Sequence, residues 1–306
     1  MRLVTFEVRG RPRLGVLLDD EILDLRRASR WLSLARPDKM PGTMEAYLAG
    51  GEAAREAIDR AVDCLRSLSA ADRLAWRAQR ILFPFNRATL LAPIPHPGKI
   101  ICVGMNYPAV GQIDRPEYPP LFLKPTSALV GSGQIVRIPP AARDVAFEAE
   151  LALVIGRVAR RISEDQALDF VAGYTLANDL GDRLLEKRTS QWTTGKMMDT
   201  FCPLGPYLVT PDEVPDPENL EIRTWLNDQL VQTGNTGEMF FSLPVLVSYL
   251  SHLTTLEPGD VVLTGSPKRL GSQPAPVLSL QPGDRVAIEI GSLGRLENPV
   301  EAEKEF

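Results

Sequence analysis

The sequence predicts an α+β fold rich in β-strands. Three observations carry that prediction: a strand pair at the N-terminus, a proline-dense break after residue 92, and a series of β-branched, apolar segments beyond it. At 306 residues, 44% of them hydrophobic, the chain can bury a large core. Residues 3–8 alternate apolar and polar side chains, and residues 14–18 follow as a second short strand. From residue 52 to 68, Ala53, Ile58, Val62, Leu65 and Leu68 recur at helical spacing. Glu56, Asp59, Arg60 and Arg66 lie between them, which predicts a helix packed on one face. Pro93, Pro95 and Pro97 then remove amide donors and hold φ near about −65°, so neither a helix nor a central strand can continue. The boundary between a small N-terminal α+β domain, 1–92, and a larger domain, 93–306, is placed here.

In the larger domain, residues 99–103, 121–124, 148–155, 173–178, 220–226 and 261–264 read as strands. One helix is expected after Ser163, which forms a capping box with Gln166, and another over residues 244–253. Leu256-Glu-Pro-Gly-Asp and Leu280-Gln-Pro-Gly-Asp are near copies, each with Pro-Gly at the centre of a type II turn before a strand. Two copies predict a folded-over β-rich core and are too few for a solenoid.

The net charge is −5 and the basic residues are spread along the chain, so no footprint for nucleic acid exists. No apolar run approaches the ~20 residues that span a bilayer. The opening residues lack an apolar signal core, and a cytoplasmic location is expected. Cys64, Cys102 and Cys202 are too few and too scattered for a disulfide framework or thiolate site, and read as buried small hydrophobes. A small-molecule partner is the remaining expectation. Only two histidines, His96 and His252, are available for proton transfer.

The chemistry centres on carboxylates. Glu148 and Glu150 stand at the head of an apolar strand, and residues i and i+2 face one side. Two close carboxylates repel, so one stays protonated unless a cation neutralises both; a hard divalent ion does so. The plain alternative is a pair of solvated charges on an exposed strand end. A second apolar segment, ending at Asp179, can supply a third ligand, and Lys196 downstream can hold an anionic substrate.

The motifs Gly104-Met-Asn106-Tyr107, Leu121-Phe-Leu-Lys124-Pro, Phe147-Glu-Ala-Glu-Leu151, Asn178-Asp179, Lys196, Asp199-Thr-Phe201, Pro203-Leu-Gly-Pro206, Gln232, Pro258-Gly-Asp260 and Thr264-Gly-Ser-Pro267 follow one another in order. In that order and spacing, from about residue 99 to 300, the chain resembles the fumarylacetoacetate hydrolase family. Its first 90 residues resemble the variable N-terminal domain of many members. The resemblance implies a mixed β-sandwich or roll, a homodimer, and Mg²⁺, Mn²⁺ or Ca²⁺ held by Glu148, Glu150 and Asp179. It implies a 2-oxo or 1,3-dicarbonyl acid substrate that reacts through a metal-stabilised enolate. Lys196 falls at the family's active-site lysine. Asn106, Tyr107, Lys124, Arg183, Gln232 and Thr264 fall at motif positions expected near substrate.

Departures from the family pattern are as informative. In many of the family's hydrolases and decarboxylases the lid reads Asn-Tyr-x-x-His-x-x-Glu, and here Val110 and Ile113 replace the histidine and glutamate that activate water. Neither can move a proton, and Pro108 and Gly111 alter the lid backbone. After Asp179, Gly181 replaces a hydroxyl, Asp182 adds a charge and Leu184 replaces an acid, while Arg183 is kept. Asp114 or Glu117 is the expected replacement base, ahead of His96 and His252.

Three functions follow. The first is a non-hydrolytic enzyme, a tautomerase, isomerase, decarboxylase or cyclising enzyme; the second is a carbon–carbon bond hydrolase using a replacement base. The third is a catalytically silent metabolite-binding relative, which the retained carboxylates and Lys196 argue against.

Overall fold

The N-terminal segments form the strands Arg2–Val8 and Arg11–Leu18, paired antiparallel from Arg2↔Leu17 to Val8↔Arg11. Arg9 and Gly10 between them take φ of 52° and 70°, the pair of positive values that a tight two-residue hairpin turn requires. A computed structural model of the chain describes residues 1–31, 40–108, 115–268 and 278–304. Val110, Ile113 and Asp114 lie outside those residues.

Among the described residues, eleven strands join in one sheet. Its path runs Leu82–Pro84, Glu21–Asp24, Arg11–Leu18, Arg2–Val8, Cys202–Val209, Val171–Asn178, Ala149–Ile155, Val261–Leu263, Ile100–Val103 and Leu121–Lys124. The eleventh, Leu129–Val130, pairs with Cys202–Val209. Residues before and after the proline stretch therefore share one hydrogen-bonded sheet, joined where Arg2 and Leu3 pair with Val209 and Leu208. A five-stranded sheet follows the order Gln229–Asn235, Glu221–Leu226, Arg285–Ile290, Arg295–Ala302 and Val136–Ile138. The expected strand-rich mixed fold is what forms.

Alternation along the strands sorts the core into two faces. Ala152 and Val154 pack with Leu3, Leu14, Ile58 and Leu65, whereas Leu151, Leu153 and Ile155 pack with Val4, Phe6, Leu246 and Leu250. Each fully buried Leu or Ile contributes about 1.5–3 kcal/mol relative to exposure, so both faces are anchored. The first face is covered by the helix Met44–Ser67, which begins eight residues before the predicted one. Thr43 caps it through its hydroxyl, and Gly51 at φ 53° kinks it, which hides its first turns from a periodicity reading. The helix Leu243–Leu253 covers the other face.

Three expectations need correction. The strand predicted to start at Glu148 starts at Ala149. Residues Glu164–Phe170 form a 3₁₀ helix, in which the Ser163 carbonyl takes the Gln166 amide, so no capping box forms; the Ser163 hydroxyl meets the Gln166 side-chain oxygen at 3.3 Å instead. Cys102 and Cys202 are buried, but Cys64 is only half-buried on its helix. The repeated Pro-Gly turns form as expected, with Gly259 at φ 91° and Gly283 at φ 99°. No helix among the described residues is long and apolar enough to cross a membrane.

Candidate metal centre

Antiparallel register brings the three acids together. Ala149 pairs with Asn178 and Glu150 with Ala177, so the next residues outward, Glu148 and Asp179, face each other across the end of the ladder. The Asp179 amide donates to the Glu148 carbonyl at 2.9 Å, and the Glu148 amide donates to the Asn178 side-chain oxygen at 3.0 Å. Glu148, Glu150 and Asp179 each offer an oxygen, and these lie within 4.8 Å of one another.

Two ammonium groups meet this cluster. Lys196 Nζ donates to Glu148 Oε2 at 2.6 Å and to Asp179 Oδ2 at 3.0 Å. Lys124 Nζ donates to Asp179 Oδ1 at 2.6 Å and to the Leu180 carbonyl at 2.8 Å, with its side chain fully buried. Glu150 has no lysine partner; its Oε2 accepts the Gly265 amide at 2.7 Å. Burial first, then the charges of Asp179 and Glu148, push the Glu150 carboxyl well above the usual range. Burial also opposes ionisation of Asp179, but Lys124 and Lys196 outweigh it and hold that carboxyl low. Lys196 is desolvated, yet Asp179, Glu148 and Glu186 raise it well above an ordinary lysine.

The donor set fits a hard divalent ion. It offers oxygen only, and one of its two buried acids, Glu150, has no ammonium partner. Among the described residues, counting Glu186, whose Oε1 lies 4.0 Å from Lys196, four carboxylates face two ammonium groups. With all four ionised the deficit is two positive charges, which one divalent ion would supply.

The remaining expected residues surround this centre in different ways. Asn106 donates to the carbonyls of Phe241 at 3.1 Å and Thr264 at 2.8 Å and accepts the Phe241 amide, so it clamps the turn that carries Gly265. Thr264 donates its hydroxyl to the Leu151 carbonyl. Gln232 accepts from Thr224 and donates to Ser266 and the Pro267 carbonyl. Tyr107 is buried with its hydroxyl unpartnered, and burial followed by the Glu150 charge raises it strongly. Arg183 is paired with Asp144 and Ser279. Glu117 is exposed. His96 and His252 are also exposed, and neither joins the carboxylate cluster.

Two residues carry more than the sequence indicated. Asp182 is the cap of the short helix Arg183–Glu186, accepting the Leu184 and Leu185 amides at 3.0 and 2.8 Å and the Asp144 amide at 2.8 Å, so its charge is spent on the backbone. Glu186 has no signal in the family motifs: Leu184 stands where the pattern has an acid, and Glu186 lies two residues on. The cap at Asp182 is the signal that places Glu186 on a turn beside Lys196.

The chain is similar to known proteins along most of its length. Residues 99–301 match the family model described as fumarylacetoacetate (FAA) hydrolase C-terminal. The mitochondrial oxaloacetate tautomerase fahd2 of Xenopus laevis is 41% identical over 98% of this chain and 90% of that protein. Oxaloacetate tautomerase YisK of Bacillus subtilis is 36% identical over 98% of this chain and 100% of that protein. The crystal structure of maleylpyruvate hydrolase from Sphingobium sp. SYK-6 in complex with manganese(II) ion and pyruvate superposes with a TM-score of 0.78 at 33% identity, covering 99% and 100% of the two chains. The chain is an enzyme and belongs to the fumarylacetoacetate hydrolase family.

Proposed function

We propose that this chain is a divalent-metal-dependent tautomerase of oxaloacetate or a closely similar 2-oxo dicarboxylic acid, interconverting keto and enol forms without hydrolysis. The observation that carries the reading is Lys196, whose one ammonium touches both Glu148 and Asp179, so negative charge developing at the centre meets a fixed cation. Relatives named oxaloacetate tautomerase at 41% and 36% identity support the substrate.

Glu148, Glu150 and Asp179 would hold the ion, and Mg²⁺ is the one we assign to this all-oxygen set. When bound, it supplies Lewis-acid polarisation of the substrate's 2-oxo group. Lys196 stabilises the enolate oxygen, and Tyr107 offers its unpartnered hydroxyl to the substrate. Lys124 holds Asp179 in place, while Asn106, Thr264 and Gln232 fix the turn whose Gly265 amide holds Glu150. Arg183, engaged by Asp144, supports the neighbouring wall. Residues 1–92 act as a scaffold for the catalytic part, 93–306. A homodimer and a cytoplasmic location belong to the same reading. Exposed Leu123, Leu184 and Met197, on or next to elements that pack together beside the centre, support the dimer, which light scattering tests.

The test is spectroscopic. Enol absorbance of oxaloacetate should decay faster with the Mg²⁺- or Mn²⁺-loaded protein and return to the spontaneous rate after chelation. No acceleration with either ion overturns the reading. Carbon–carbon bond hydrolysis is the second reading, favoured by the likeness to maleylpyruvate hydrolase, with Asp114 or Glu117 as base. Turnover in ¹⁸O water separates the two, because only hydrolysis places label in the product.

A further inference from the structure

Keto–enol interconversion moves one proton from carbon to oxygen, so a group must first accept it. The resemblance places a histidine and a glutamate at positions that here hold Val110 and Ile113, which have no ionisable atom. Glu117 is exposed, and the three clustered acids are committed to the ion. Among the described residues, one carboxylate beside them has no assigned task.

That carboxylate is Glu186. It ends the short helix capped by Asp182, its side chain is 18% exposed, and its Oε1 stands 4.0 Å from Lys196 Nζ. Oε1 is buried and has no hydrogen-bond partner. Two glycines create its position. A Cβ on Gly181 would collide with Oε1, and one on Gly195 would come within 2.5 Å of Cγ. Glu186 is thus wedged beside the centre, near the lysine that faces the developing charge. Burial raises its carboxyl above the ordinary value, with Lys196 opposing that rise, which suits a group that must both take and release a proton.

We propose that Glu186 is a further catalytic residue, the carboxylate that takes the carbon-bound proton of the substrate. The inference rests on the enolisation reading above. In the step, the carbon–hydrogen bond at C3 breaks and its proton bonds to a Glu186 oxygen. The released electron pair forms the C2–C3 double bond, and the carbonyl π pair moves to oxygen. Glu186 then gives the proton to that oxygen, so the enol has the composition of the keto acid. No oxidant or water is consumed.

The experiment compares wild type, Glu186→Gln, Glu186→Asp and Glu186→Ala as full-length proteins. Oxaloacetate tautomerisation is followed by absorbance and Mn²⁺ binding by calorimetry. Glutamine keeps the shape and removes the base, so kcat should fall at least about 100-fold, the usual worth of a positioned proton carrier, with KM and Mn²⁺ affinity within about threefold. Aspartate should retain more activity than glutamine. Formate or acetate should restore Glu186→Ala in proportion to its concentration, which a merely structural role would not produce. A Glu186→Gln variant that turns over as wild type, or one whose loss is matched by lost Mn²⁺ binding, overturns the base role alone. Absence of turnover in the wild type overturns the tautomerase reading and this role with it.

Discussion

The backbone amide of Asp179 donates to the carbonyl of Glu148 at 2.9 Å, one step beyond the last pair of their strands. The sheet itself therefore sets the separation of two of the three acids, with no loop to adjust it. Asp179→Ala should abolish measurable Mn²⁺ binding in calorimetry and reduce tautomerisation to the metal-free rate. It should also destabilise the fold by about 3–5 kcal/mol in urea melts, because Lys124 is left buried without its partner.

Lys196→Met removes the cation that touches Glu148 and Asp179. Loss of one such charge-stabilising donor should lower kcat by about 10²–10³-fold, while Mn²⁺ still binds. Steady-state kinetics beside calorimetry checks both halves. A variant with unchanged kcat would contradict the assigned role.

Arg183 holds Asp144 at a pKa of about 2, first through its hydrogen bond and then with help from Ser279 and its charge. The folded value lies below the unfolded one, so the pair stabilises the protein above pH 3.8 and that contribution is lost as pH falls toward about 2. Between those limits the stability of wild type should fall more steeply than that of Asp144→Asn, measured by urea unfolding at each pH. Parallel curves would contradict the coupling.

Gly181→Ala tests the packing around Glu186 without touching a charge. The new methyl would meet Lys196 Cδ at 2.7 Å as well as Glu186 Oε1. Overpacking of this kind costs about 1–3 kcal/mol, so urea melts should show a loss of that size, and turnover should drop further than Mn²⁺ affinity.

Asn106→Ala should cost about 3 kcal/mol, because a buried clamp of three hydrogen bonds is replaced by unpaired backbone groups. The Gly265 amide would lose its fixed approach to Glu150, so Mn²⁺ affinity should weaken in calorimetry although no ligand has changed.

How much of this was legible differs by residue. Glu148, Glu150 and Asp179 could be found because each ends or heads an apolar segment, and strand periodicity constrains where such side chains point. Their convergence depends on register, which hydrophobic pattern alone does not number and the pairing Ala149↔Asn178 sets. Lys124 read as a substrate contact because it falls at a motif position of the family, and its side chain lies fully buried against Asp179. Asp182 looked like an added pocket charge because capping depends on the backbone that follows it, and a four-residue helix leaves no periodicity. Glu186 was hidden for the same reason. The helix before residue 52 was masked by Gly50 and Gly51, which a propensity reading takes as a break.

The pairing of Arg2–Val8 with Cys202–Val209 has a practical consequence. Cutting the chain at the proline stretch would turn the Leu208–Val209 end of an interior strand into an exposed edge. A trimmed catalytic piece would thus be prone to self-association before it lost any catalytic group. The strand Arg2–Val8 thus covers an edge of this chain's own sheet, which makes the N-terminus an unsuitable place to shorten it.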